Sequence, residues 1–253
     1  PRPLRVPQLD PRRSGCHHGW MSPAARTAPQ RSSKRSSRPE PKPRRRTRER
    51  ILETSLQLFN VFGEPNVTTQ LIADELEISP GNLYYHFRSK DDIIESLFAD
   101  FERQIEATLA APESRVPDVE DIWLFLHLVF EGIWNYRFLY RDLNELLSRN
   151  RLLETHFQRI VAHKVKTAKL ICEGLVGTGD MDATPAQLHS LANNMALVAT
   201  YWLSFEFIRV PRKAIDSEAL ARGAFHVMSL AAPFLQGRSR ALFERLARGY
   251  LDA

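Results

Sequence analysis

The chain has 253 residues, 43% hydrophobic and 26% charged, enough for one or two domains with real cores, and no apolar run approaches the ~18 residues of a membrane span. Its net charge of +5 hides an asymmetry: residues 1–50 hold fifteen Lys or Arg against three Asp or Glu, a net of +12, whereas the remainder is −7. Cys16 and Cys172 are the only cysteines and match no metal-ligand spacing, which excludes a disulfide scaffold and fits a reducing cytoplasm.

Residues 1–43 are rich in Pro, Arg and Ser, lack helical periodicity and cannot bury enough apolar surface to order, so a disordered basic tail is expected. The chain opens on Pro1 and its first methionine is Met21, so residues 1–20 read as an over-extended gene model or a fragment. From about Arg44 the pattern turns helical. Ile51, Ser55, Leu58, Phe59 and Phe62 line one face of a first helix, which Gly63 ends, with Pro65 beyond it. Thr68 or Thr69 caps a second helix with Leu71, Ile72 and Leu76 as its apolar stripe. Ser79 caps a third, with Pro80 at the first position, where a missing N–H costs nothing. Leu83 and Phe87 then share the inward face, while Gly81, Asn82, Tyr85 and His86 fall on the outward one. Ser89 caps a fourth helix, buried through Ile93, Ile94, Leu97, Phe98, Phe101 and Ile105.

The run from Thr68 to Lys90, with Ile72-Ala73, Ser79, Gly81, Leu83-Tyr84, His86-Phe87 and Lys90 in register, resembles the helix-turn-helix of the TetR (tetracycline-repressor) family of bacterial transcription regulators. The resemblance implies a DNA-binding domain over residues 44–105. Asn82, Tyr85 and His86 are expected at base edges or phosphates, with Pro80 and Gly81 at the start of the same helix bringing its backbone close. Thr69, Gln70, Tyr84 and Lys90 are carried over as phosphate contacts. One departure is Glu77, where the family usually has Gly: a left-handed turn costs glutamate roughly 1 kcal/mol, so a slightly different turn shape is expected. The basic tail beside this unit would lie along the phosphate backbone. Its Arg-rich, acid-poor composition is also that of an organelle transit peptide, a reading that a bacterial-type regulator disfavours.

Beyond Pro112 and Pro117 the periodicity predicts helices at about 118–135, 138–148, 150–177, 185–208, 216–235 and 238–250. The first of these, with Ile122, Trp123, Phe125, Leu126, Val129, Phe130, Ile133 and Trp134, is apolar all round and is expected inside a second domain over 117–253. As in TetR-like proteins, Trp123, Phe130, Trp134, Tyr140, Tyr201 and Trp202 are candidates to line a small-molecule pocket, although each alone is more often ordinary core. The segments carrying Leu188, Leu191, Met195, Val198, Trp202 and Phe205, and Leu220, Phe225, Val227, Met228 and Leu230, hold more apolar surface than one small domain needs. In TetR-like proteins such helices form a four-helix interface, which implies a homodimer on a near-palindrome.

His127 with Glu131, and His156 with His163, share helix faces but offer too few ligands for a metal. The sequence has no G-x-S-x-G elbow, phosphate-binding glycine loop or H-E-x-x-H, and neither an enzyme nor a cofactor is expected. The reading is therefore an all-α chain with an N-terminal helix-turn-helix domain and a C-terminal helical effector-binding and dimerisation domain. It describes a cytoplasmic, homodimeric regulator, by family habit a repressor, with a double-stranded DNA operator and a small, largely apolar effector as partners. An architectural, nucleoid-associated DNA-binding protein without an effector is the alternative.

Overall fold

In a computed structural model that describes residues 43–110, 119–209 and 217–251, the apolar spacing of the sequence resolves into eleven α-helices. All of these residues belong to one unit of the chain, Pro41–Ala253, and residues 1–42 of the expected basic tail lie outside the described residues. Among the described residues no strand forms, only an isolated bridge between Met181 and Leu235. No described helix is long and apolar enough to cross a membrane.

Helix α1 (Pro43–Phe62) buries Ile51, Ser55, Leu58 and Phe59, whereas Phe62, expected on the same face, is exposed. The reason is local: Gly63 takes a left-handed φ of 87° and turns the chain into a short 3-10 segment, Glu64–Asn66, at the end of the buried stripe. Helix α2 (Thr69–Glu75) is capped by Thr68, whose hydroxyl accepts from Leu71 N at 3.1 Å. Its inward face is Ile72, Ala73 and the following Leu76, while Leu71, one step round the helix, is exposed. Helix α3 (Pro80–His86) is capped by Ser79, accepting from Asn82 N at 3.2 Å, and buries Leu83 and the adjoining Phe87. Ser89 caps helix α4 (Lys90–Leu109) by accepting from Asp92 N at 3.1 Å, while the Asp92 carboxylate accepts from Arg88 N at 2.9 Å. All six apolar residues expected on the inner face of α4 are buried.

The turn between α2 and α3 keeps the left-handed form that glycine usually provides. Glu77 sits at φ 54°, Ile78 N donates to Ala73 O at 3.0 Å, and Glu77 N donates to Asp74 O at 3.1 Å. Those two bonds close the last turn of α2 and aim the chain into α3.

The remaining helices are α5 (Val119–Asn135), α6 (Arg137–Arg141), α7 (Leu143–Arg149), α8 (Arg151–Thr178), α9 (Pro185–Arg209), α10 (Ser217–Ala231) and α11 (Gly237–Leu251). The single helix expected at 138–148 is broken at Asp142, which leaves helical geometry and accepts from Glu64 N at 3.3 Å. Helix α5 is not enclosed as expected, because Leu124 and Leu128 face outward. Helix α10 closes onto α5 and α9 at Gly223, where a Cβ would meet Phe130 Cε1 at 2.5 Å and Trp202 Cδ1 at 2.6 Å.

The strained Glu77 gives a direct test. Glu77→Gly removes the cost of a left-handed side-chain-bearing residue, partly offset by the greater freedom of glycine in the unfolded chain. It is expected to stabilise the protein by up to ~1 kcal/mol. Urea unfolding checks this, and a loss of stability would contradict the turn geometry.

Candidate nucleic-acid interface and ligand cavity

Because Leu83 and Phe87 anchor α3 inward, its opposite side is left to solvent: Gly81, Asn82 and Tyr85 are exposed, and His86 is half-buried with its ring edge-on to Tyr85 at 5.3 Å. Pro80 is exposed at the helix start. The hydroxyls of Tyr84 and Thr69 lie 3.0 Å apart and tie α3 to the first turn of α2, while the Gln70 amide donates to Asp74 at 2.7 Å. Eight of the nine expected DNA-facing residues thus gather around α3 and the start of α2.

Lys90 is the exception. Its ammonium donates to Glu64 O and Val67 O, each at 3.1 Å, and lies 2.7 Å from the Glu64 carboxylate. Two hydrogen bonds and an ion pair turn this lysine towards the protein, at the join between the Glu64 turn and α4. The cause is Glu64, whose carboxylate is fully buried and needs cations beside it. Arg149, at the end of α7, supplies the second at 2.7 Å and also approaches Asp91 at 3.7 Å. Asn60 on α1 makes a parallel join: it donates to Asn135 O at 2.9 Å and accepts from Phe138 N at 3.1 Å. Stacking of Phe59 on Phe138, with centroids 5.2 Å apart, completes the seam. Glu64 and Arg149 escaped the sequence reading, because a lone acid in a loop carries no signal of burial.

A second feature lies between α4, α5, α8, α9 and α10. A narrow slot of about 30 Å³ is lined by Leu109, Ile122, Phe125, Leu126, Ile171, Met195 and Val227, with Lys164 at its wall. The expected aromatic lining is placed differently. Phe130 and Trp202 are packed under Gly223, Trp202 donating to Ala219 O at 2.7 Å. Trp123 stacks on His127, and Trp134 lies under the Arg137 guanidinium. Tyr201 points outward to an open surface groove of about 930 Å³ that α7, α8 and α9 form. Tyr140 does not line the slot; its hydroxyl accepts from Lys164 at 3.2 Å. The aromatics serve as packing because rings of that size fill the helix crossings, with Phe101, Tyr140 and Phe157 in successive contact at 5.7 Å.

Lys164 is buried at 5% exposure. It donates to Tyr140 and, at 3.3 Å, to Thr200 Oγ1, and its ammonium lies 4.9 Å from the centre of the Tyr140 ring. Burial lowers its pKa from 10.5 to about 7. The sequence did carry a signal for it: Leu153, Phe157, Ile160, Lys164, Thr167, Ile171 and Leu175 follow the three-and-four spacing of the inner face of α8. His156, weighed as a metal ligand, contacts Glu102 on α4 at 2.7 Å, and His127 is bonded to Trp123 O at 2.9 Å. Among the described residues no three His, Cys, Asp or Glu gather closely enough to hold a metal.

Comparison with known proteins gives concordant matches in both halves. The family described as "Bacterial regulatory proteins, tetR family" matches residues 51–97, and "Bacterial transcriptional repressor", a TetR family, matches residues 100–243. A probable HTH-type transcriptional regulator of Bacillus subtilis, YttP, is 24% identical over 131 residues, 51% of this chain and 63% of the relative, so the chain spans under two thirds of its length. The crystal structure of a TetR-family transcriptional regulator from Marinobacter aquaeolei VT8 is 36% identical, with a TM-score of 0.74 over 81% of this chain and 98% of that one. A putative transcriptional regulator from Saccharomonospora viridis, solved in complex with choline, shares the fold at 18% identity and a TM-score of 0.59, covering 76% of this chain and 100% of its own.

The buried Lys164 leaves a pH signature in stability. Its pKa is lower in the folded chain than in the unfolded one, so between about pH 7 and 10.5 the unfolded state binds the extra proton and stability rises with pH. The destabilisation is present in full below pH 7. Relative to Lys164→Met, the wild type is expected to gain at most ~1.4 kcal/mol per pH unit across that window. Urea unfolding of both proteins at pH 7 and pH 9 measures it, and a constant difference would contradict the burial of an ammonium here.

Proposed function

Because the chain belongs to the TetR family of bacterial transcription regulators, we propose that it represses transcription as a homodimer on a near-palindromic operator and is released by a small, largely apolar effector. Regulation through DNA is the business of the family, whose members are not enzymes. Residues 44–105 form the DNA-reading part in this proposal and residues 117–253 the sensing and dimerising part.

The observation that carries the reading is the solvent-facing surface of α3, with Asn82 and Tyr85 exposed and His86 beside them on a helix rigidly capped and anchored from below. In this proposal these three meet base edges in the major groove, Pro80 and Gly81 bring the start of α3 close to the backbone, and Thr69, Gln70 and Tyr84 contact phosphates. Lys90 acts by holding the Glu64 turn in place.

Dimerisation is assigned to a different face from the one the sequence pointed to. Met195, Trp202, Val227 and Met228 are buried within one subunit, where they pack α9 against α10 and α5. Leu197, Tyr201, Phe205 and Ile208 instead form a stripe at helical spacing along α9 and are between 42% and 75% exposed. Leu197 and Tyr201 of this stripe line the open groove, whose α8 wall carries Val161 and Val165. A contiguous apolar two-helix surface of that kind is what a symmetric four-helix interface buries.

The slot suits an effector because α4 joins it to the DNA-reading helices. Leu109 at one end of α4 lines the slot, and Lys90 at the other carries the Glu64 turn, about 30 Å away along the helix axis. A ligand favouring one slot arrangement by about 1–3 kcal/mol changes operator affinity roughly five- to 150-fold.

Two variants test the reading. Tyr85→Ala is expected to weaken operator binding by about 1–3 kcal/mol and relax sequence preference. Leu197→Glu is expected to sediment as a folded monomer and lose operator binding, whereas Met195→Glu should unfold the subunit itself. Full operator affinity in Tyr85→Ala, or an intact dimer in Leu197→Glu, would refute the corresponding assignment.

A further inference from the structure

Among the described residues three charged side chains are buried, and one of these three lacks an opposite charge. Glu64 has Lys90 and Arg149, and Glu206 has Arg209 at 2.7 Å and Arg222 at 3.1 Å. Lys164 has the hydroxyls of Tyr140 and Thr200, the faces of two aromatic rings, and no carboxylate among the described residues. Two neutral acceptors at 3.2 and 3.3 Å leave one of its three N–H donors unused. Lys164 is also a lining residue of the apolar slot. Lys164 thus joins a buried polar cluster, whose Thr200 also lines the neighbouring groove, to a slot walled by apolar side chains, and a polar group beside apolar walls describes the two halves of an amphiphile.

We propose that the slot receives an apolar monocarboxylate, its carboxylate paired with the Lys164 ammonium and accepting from the Tyr140 and Thr200 hydroxyls, its tail lying between Leu109, Ile122, Leu126, Ile171 and Val227. This specifies the chemical class of the effector and rests on the effector reading above. A carboxylate offers about four acceptor sites to these donors, and the pairing replaces two long contacts with charge-assisted ones. At about 30 Å³ the slot holds no such tail as it stands. Binding therefore parts α5 and α10 from α8 and α9 and displaces the Leu109 end of α4, whose last carbonyl is held by the Thr167 hydroxyl of α8 at 2.9 Å. Ligand entry and helix movement are one event.

The test is calorimetric titration of the full chain with decanoate and with decanol, alongside release of operator by each. The wild type is expected to bind decanoate at least tenfold more tightly than decanol, and decanoate to release the operator. Lys164→Met keeps the length and apolar character of the stem and should reverse the preference. Thr200→Val, which removes one hydroxyl at nearly constant volume, should weaken decanoate two- to tenfold and leave decanol unchanged, so the proposal stays testable if the first variant folds poorly. Equal affinity of the wild type for acid and alcohol, an unaltered preference in both variants, or no decanoate binding would each overturn the carboxylate assignment. Decanol that binds and releases operator as well as decanoate would overturn it while leaving an apolar effector standing. If a thermal-shift screen of apolar metabolites finds no compound that alters operator affinity, the effector reading itself fails.

Discussion

The buried carboxylate of Glu64 is the constraint around which the two halves are joined. A fully buried, charged acid is tolerable only with cations at hand, and here they come from opposite directions: Lys90 from the first turn of α4 and Arg149 from the end of α7. Removing either would leave a charge partly uncompensated, a far larger penalty than the loss of an exposed ion pair. The same turn donates its Glu64 N–H to Asp142, which is why α6 and α7 are two helices and not one. The position of the DNA-reading helices is thus set partly by residues about eighty positions later in the chain.

Helix α4 runs from that join to the slot. One end begins at Lys90, within the Glu64 cluster, and the other ends at Leu109, in the slot. Along its length it is tied to α8 by Glu102 with His156 and by Glu95 accepting from Asn150 at 2.9 Å. Close packing makes such an assembly switch between arrangements instead of bending smoothly, so in the proposed effector response a change at the slot, beginning at Lys164, would move α2 and α3 as a body.

Much of this was legible in the sequence where a single helix decides the outcome. The caps at Ser79 and Ser89, a threonine cap that the sequence left between Thr68 and Thr69, the inward stripe of α4, and the outward Asn82 and Tyr85 follow from periodicity and cap chemistry alone. The misplacements share a different origin: they depend on which neighbour a helix meets. Met195 and Met228 read equally well as an interface between subunits or within one, and only the packing of α9 on α10 decides. Aromatic residues look like a pocket in a list of letters, yet Phe130 and Trp202 are wedged under Gly223 and the slot is lined mainly by aliphatic residues, with Phe125 its one ring. Lys90 sits in a register that resembles a phosphate contact, and the loop acid that engages it carries no periodic signal at all.

The central claim, that the Glu64 ion cluster couples the C-terminal helices to the helix-turn-helix, is tested most directly by native-state hydrogen exchange of Arg149→Met without DNA or ligand. Arg149 belongs to neither the α3 face nor the slot, so its loss reaches the DNA-reading helices only through Glu64 and Asp91. The account predicts that amides of the Glu64–Val67 turn, of α2 and of the opening of α4 exchange about tenfold faster or more, equivalent to roughly 1.4 kcal/mol of lost protection. Unchanged protection across residues 64–97, with any loss confined to α7, would contradict it.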